Sequence, residues 1–298
     1  MKRFQQSKVV PAGFDPALLQ YSQTLLANQP GGHRLGWNDK EVFAAFDGWW
    51  LSSEFYPVAQ PQADGYQAVY MAARLRIHGQ FGQTLPADWL FAMNYAESKA
   101  VALLKLIRIL HLLNHLGRNG RALPLRIDLD PRICHAFSDR IVDFTTQLLQ
   151  GLGLASSQVL FLLFIDRDTT DVGRALMQRY RENAHQVGLG GFGESPHDLH
   201  RLWLLEPDFV CLAPRFIRRA IMYPQVREQL LQLMPQLVEQ GYVLGVEEIV
   251  CGNMLGIARQ MGARFYAGQW VAQQLAANEA PITLTIREPG NTDIALPG

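Results

Sequence analysis

Short, continuous apolar runs alternate with stretches of helical periodicity along most of this sequence, and no other feature restricts the fold as much. Strand-like runs lie at 54–59, 66–77, 124–129, 159–165, 186–190, 209–213, 241–247 and 263–267. Helical patterns fall at 86–97, 98–116, 138–152, 169–185, 224–240 and 251–261, and Pro196 opens another whose apolar face is Leu199, Leu202, Trp203 and Leu205. The run 159–165, Val-Leu-Phe-Leu-Leu-Phe-Ile, offers no polar face to water, so it needs cover on both sides. About eight strand-and-helix units of this kind close into a β/α barrel with the helices outside, and such a barrel builds its site from the ends of its strands.

The stretch 187–217 holds two of these strands and one helix, and Gly190, Gly191 and Gly193 leave a bare strand end between them. Residues 188–193 match G-x-G-x-x-G, but a dinucleotide fingerprint also needs an acid near the end of the next strand. Glu206 precedes that strand and Asp208 starts it, so the acid stands at the wrong end. His111 and His115 share a helix face at metal-compatible spacing, but they sit among Leu112, Leu113 and Leu116 without the glutamate of a zinc hydrolase. They read as packing or surface histidines, and His197 and His200 as part of a solvated helix start.

Balanced charge, 27 basic against 27 acidic residues in 298, argues against nucleic acid as a partner. The densest basic cluster, Arg215, Arg218 and Arg219, reads as a solvated helix face. Cys134, Cys211 and Cys251 are widely spaced among apolar residues, as in a reduced cytoplasmic protein, and no zinc spacing occurs. Lys105, Arg108 and His111 interrupt 101–116, so no membrane span is expected.

Outside the barrel, residues 1–37 read as an arm with one helix at 16–27, capped by Asp15, whose Leu18, Leu19, Leu25 and Leu26 have either the barrel or a partner to cover. A helix is expected from 39 to 50, where Val42, Phe43, Phe46, Trp49 and Trp50 make a stripe at helical spacing. In the extension 276–298, Ile282, Leu284 and Ile286 alternate with Thr283, Thr285 and Arg287, which predicts a half-buried strand.

Residues 38–275 resemble the EAL family, the bacterial cyclic di-GMP phosphodiesterase domain, through the order and spacing of several altered motifs. Phe55-Tyr56-Pro57-Val58 is similar to the family's first-strand signature, with Tyr56 at a glutamine. Ala72-Ala73-Arg74-Leu75-Arg76 falls at the naming motif, with Ala72 at the metal-binding glutamate and Arg76 matching the family's arginine. Asp128 takes a ligand asparagine's place, Leu163 a ligand glutamate's, and Asp166 that motif's second acid. Gly190 and Gly191 stand at two aspartates before Phe192-Gly193, Cys211 at a lysine and Ala213 at the following aspartate. Leu244-Gly245-Val246-Glu247 is similar to Glu-Gly-Val-Glu, with Leu244 at the first glutamate and Glu247 at the second, and Ala267-Gly268-Gln269 replaces Gln-Gly-Tyr.

The resemblance implies an α/β fold, a (β/α)8 TIM-like barrel of the EAL type with an N-terminal helical arm and a C-terminal extension. It also implies a reaction in which two divalent cations activate water, which needs clustered carboxylates that these positions do not supply. The expectation is a catalytically inactive, cytoplasmic protein with no cofactor and no metal, binding a regulatory protein partner in bacterial cyclic di-GMP-linked control of motility or biofilm formation. A non-hydrolysing cyclic di-GMP receptor is the alternative. Arg76 would then meet a phosphate and Phe192 a base, with Asp128 and Glu247 completing a vestigial ligand site. A residual metal-dependent phosphodiesterase is the third reading. Asp128, Asp166 and Glu247 also have a purely structural reading, as acids paired with Arg76 or another basic residue. Homodimerisation stays open.

Overall fold

A computed structural model describes residues 10–11, 13–27, 33–79, 81–93, 96–119, 122–129, 138–164, 170–195 and 197–279. The strand expected at 282–287 and the side chains of Cys134, Asp166 and Pro196 lie outside the described residues.

Eight strands close into a barrel: β3 (Trp49–Gln62), β4 (Gly65–His78), β6 (Leu125–Leu129), β7 (Val159–Phe164), β8 (Gln186–Phe192), β9 (Val210–Leu212), β10 (Leu244–Val246) and β11 (Phe265–Ala267). Neighbours from β4 through β6 to β11 are parallel, whereas β3 runs antiparallel to both β4 and β11 and so seals the barrel. The period of two along each strand builds two apolar layers. Ile127, Phe161, Leu163, Val187, Leu189, Val210, Leu212 and Leu244 face the helices, while Val58, Tyr70, Ala72, Leu160, Leu162, Phe209, Cys211 and Ala267 fill the barrel.

Residues 39–50 form a strand and a turn, not the expected helix. β1 (Leu35–Trp37) and β2 (Val42–Phe46) pair with each other, and β2 turns at Asp47-Gly48 into β3. Asp47 and Gly48 have φ of 51° and 83°, the left-handed pair of a type I′ turn, for which Asp-Gly is a strong sequence signal. Apolar residues on both sides of that turn imitate a helical stripe. Asn114 then holds β2 from below, donating to Val42 O at 2.7 Å and accepting from Val42 N at 2.8 Å. β4 meets β6 only from Met71 to Ala73, so the β3–β4 hairpin projects past the mouth of the barrel, where β2 and the short β5 (Thr84–Leu85) flank it.

Helices surround the barrel: α1 (Pro16–Ala27), α2 (Ala87–Ala92), α3 (Glu97–Asn119), α4 (Ser138–Leu152), α5 (Thr170–Glu182), α6 (Asp198–Leu205), α7 (Pro214–Met222), α8 (Pro224–Glu239), α9 (Gly252–Gln260) and α10 (Gln269–Glu279). α3 is apolar and long enough to cross a membrane, but 78% of its most apolar window is buried inside the protein. Its polar residues have protein partners: Arg108 donates to Tyr180 OH at 3.0 Å, and His115 Nε2 lies 2.8 Å from Leu123 O. It is a core helix.

The described helix of the arm, α1, packs on the chain's own helices. Asp15 caps α1 by accepting from Ala17 N at 2.8 Å, Leu19 and Leu26 are buried, and Tyr21 OH donates to Gln147 O on α4 at 3.0 Å. α7 is an additional helix, opened by Pro214, and it carries the basic cluster. Arg215 and Arg218 pair there with Glu194 and Glu248, as expected for a solvated face.

Candidate functional site

The mouth of the barrel is organised by a residue the motif comparison did not single out. Arg126 on β6 stands beside Ala72 of β4 and Leu160 of β7 in the sheet register, and like them it points inward. Its side chain is 0% exposed. A guanidinium cannot lose its charge at this depth, so burial requires every N–H to find an acceptor.

The partners come from four other strand positions. Nε donates to Asp128 Oδ1 at 3.0 Å, Nη2 donates to Tyr56 OH at 2.7 Å and approaches Asp128 Oδ2 at 3.5 Å. Nη1 donates to Glu247, just past β10, and lies 3.9 Å from Cys211 Sγ on β9. Asp128 and Glu247 are therefore brought together, and Arg126 is what joins them. Small residues at Ala72, Cys211 and Ala267 line the same interior and leave room for the long side chain.

This setting shifts the ionisable groups around it. Solvent reaches 31% of the Asp128 side chain, but its carboxyl lies deep in the mouth. Desolvation pushes it up to about 6; Arg126 draws it down and the nearby Glu247 charge raises it further. Burial also raises Cys211 and Tyr56 far above their ordinary values, so neither supplies an anion near neutral pH.

Arg76 and Phe192 are not part of this cluster. Past Ala73 the projecting hairpin carries Arg76 to Glu41, with which it pairs, and to Ser52 Oγ at 3.0 Å; Arg118 joins the same buried carboxylate at 3.3 Å. Phe192 is 3% exposed and packs on the helix side. Simple alternation from Gly188 and Gly190 would aim it into the mouth, but a register shift between Leu189 and Phe192, with Gly191 at φ 72°, turns it outward. The structure therefore gathers neither residue with Asp128 and Glu247.

Two motif positions shift as well. Leu163 packs outward, and its neighbour Phe164 faces the mouth, 39% exposed. The ring of Phe164 occupies the space into which a residue at 190 would project: a Cβ on Gly190 would come within 2.8 Å of it. Leu244 also packs outward, whereas Glu247 reaches inward. Glu248 has φ 54°, a left-handed conformation that favours glycine. Setting the glycine of Glu-Gly-Val-Glu on Glu248 places that motif's first glutamate on Glu247.

Divalent cations such as the fold family employs would need several oxygen ligands each. The described mouth offers Asp128 and Glu247, both held by Arg126, and among the described residues no group of three or more His, Cys, Asp or Glu could hold a metal. This donor set does not fit a pair of cations. The histidine pair on α3 is internal: His111 Nδ1 sits 2.8 Å from Ser53 Oγ, and burial, with Arg108 nearby, pushes it down to about 3.

The family model for the EAL domain matches residues 48–274. No curated protein matches the sequence. Among solved structures, the Bacillus subtilis YkuI protein, with an EAL domain, in complex with substrate c-di-GMP and calcium, is similar with a TM-score of 0.62 at 15% identity, over 74% of this chain and 55% of that one. Klebsiella pneumoniae BlrP1, in a manganese and cyclic di-GMP complex, gives 0.61 at 17%, over 73% and 54%. This chain thus spans little more than half the length of either. The FimX EAL domain from Pseudomonas aeruginosa, bound to c-di-GMP, gives 0.58 at 20%, over 73% and 88%. The likeness extends over the closed barrel with its one antiparallel strand, and the chain belongs to the EAL domain family.

Proposed function

We propose that this EAL-family chain does not hydrolyse cyclic di-GMP and acts by binding a regulatory protein partner in cyclic di-GMP-linked signalling, such as motility or biofilm control. One observation carries the reading: Asp128 and Glu247, the acids gathered at the mouth among the described residues, are both paired with the buried guanidinium of Arg126. A divalent cation about 5 Å from that charge meets a repulsion of roughly 6–7 kcal/mol at an effective dielectric of about 20. Gly190, Cys211 and Ala72 supply no carboxylate to offset it. What persists is a well-packed barrel with a large surface, and a folded surface is what a regulatory interaction needs.

Purified protein incubated with cyclic di-GMP and manganese or magnesium is expected to yield no linear product, and to copurify with a partner whose own activity changes on binding. Sustained metal-dependent turnover that disappears in Glu247→Gln contradicts the reading.

A non-hydrolysing receptor is the second reading, and Arg74 is the observation that favours it. This exposed residue stacks 4.6 Å above the Tyr56 ring and brings a second guanidinium to the mouth. Calorimetry with cyclic di-GMP separates the two: micromolar binding lost in Arg74→Ala supports the receptor, and no heat at high ligand concentration removes it.

A further inference from the structure

We propose that Arg126 is a tethered cation, built into the barrel in place of a bound metal, and that its side chain is what keeps a latent single-cation site between Asp128 and Glu247 closed. The inference rests on the same site as the proposed function and deepens it by naming the group that excludes the metal.

Three features point to replacement rather than to a surface ion pair. The guanidinium is fully buried and inward, at the level of the sheet where the acids project. Its donors satisfy an acid on its own strand two residues on, an acid 121 residues away, a phenol and a thiol, so one side chain ties β3, β6, β9 and the end of β10 around one centre. Its charge meets two carboxylates, the role a hard cation plays when it draws oxygen ligands together. The Tyr56 hydroxyl is a neutral oxygen aimed at the same centre, a third donor once the guanidinium is removed.

Removal of Arg126 therefore converts a covalently supplied charge into a vacancy with two acids and one phenol around it. A guanidinium delivered by the backbone has no dissociation step, so the native mouth is closed at any metal concentration. Its carboxylate and phenol oxygens are hard donors, the class that suits an ion such as manganese.

The test is a manganese titration of the full chain followed by electron paramagnetic resonance, with Arg126→Ala and Arg126→Lys beside the wild type. Wild type and Arg126→Lys are expected to leave all manganese free, and Arg126→Ala to bind one ion per chain and to gain thermal stability with it. Should Arg126→Ala unfold in metal-free buffer, recovery of its native circular dichroism in manganese supports the proposal. Failure to recover while Arg126→Lys folds overturns it. Folded Arg126→Ala that binds no manganese also overturns it and leaves the proposed function untouched. Manganese bound equally by the wild type, with turnover of cyclic di-GMP, overturns both.

Discussion

Arg126 reaches across the barrel mouth to Glu247, 121 residues further along the chain, and with Asp128 the two form a network centred on the buried guanidinium. Replacing that cation with a neutral side chain of similar length leaves two recessed acids facing one another. Arg126→Met is expected to lower unfolding stability in urea by about 3–5 kcal/mol, the usual cost of breaking one side of a buried pair. A loss under about 1 kcal/mol would mean that water, not the guanidinium, carries the charge of Asp128 and Glu247.

The acid pair also predicts an unusual pH dependence. Asp128 is pushed up to about 6 in the folded protein from an ordinary value of 3.8, chiefly by desolvation. Between those two values the folded chain holds more protons than the unfolded one, so this group makes stability fall as pH rises from about 4 to about 6. Urea midpoints across that window are expected to lose this component in Asp128→Asn. An unchanged profile in the variant places the titration elsewhere.

His111 works in the opposite direction. Burial, aided by Arg108, pushes it down to about 3, while the unfolded chain takes up a proton below about 6.5. The unfolded state then binds more protons, and stability is lost as pH falls from about 6.5 towards 3. In proton spectra the His111 ring signals are expected to stay fixed down to about pH 4. A titration midpoint near 6.5 would show that its site between α3 and Ser53 is open to water.

Gly190 and Phe164 form a steric pair. A Cβ at 190 meets the Phe164 ring at 2.8 Å, so Gly190→Asp alone is expected to cost about 1–3 kcal/mol through crowding. Adding Phe164→Ala is expected to recover most of that loss, giving a favourable coupling in a double-mutant cycle. Strictly additive losses would place the ring away from the glycine.

The barrel was legible because its strands are apolar on both faces, and a sequence such as 159–164 has few other ways to be covered. The segment 39–50 misled because the spacing of Val42, Phe46 and Trp49 fits a helix as well as two strands about a turn. Asp47-Gly48 was the discriminating signal. At the site, Asp128 and Glu247 were identifiable as strand-end acids, and both pair with a basic residue, Arg126. Arg126 could have been found by parity, since it lies two residues before Asp128 on the same inward face of an otherwise apolar strand. Arg76 and Phe192 lie apart from the Arg126 cluster for geometric reasons that a motif does not encode: a hairpin that outgrows the barrel, and a one-strand irregularity that reverses a side chain.

Crystals of the full chain grown in millimolar manganese, with anomalous scattering collected at the manganese edge, test the central claim most directly. The guanidinium of Arg126 is predicted to fill the mouth, with no anomalous peak between Asp128 and Glu247. Two well-occupied manganese ions held there, with Arg126 displaced, would contradict it.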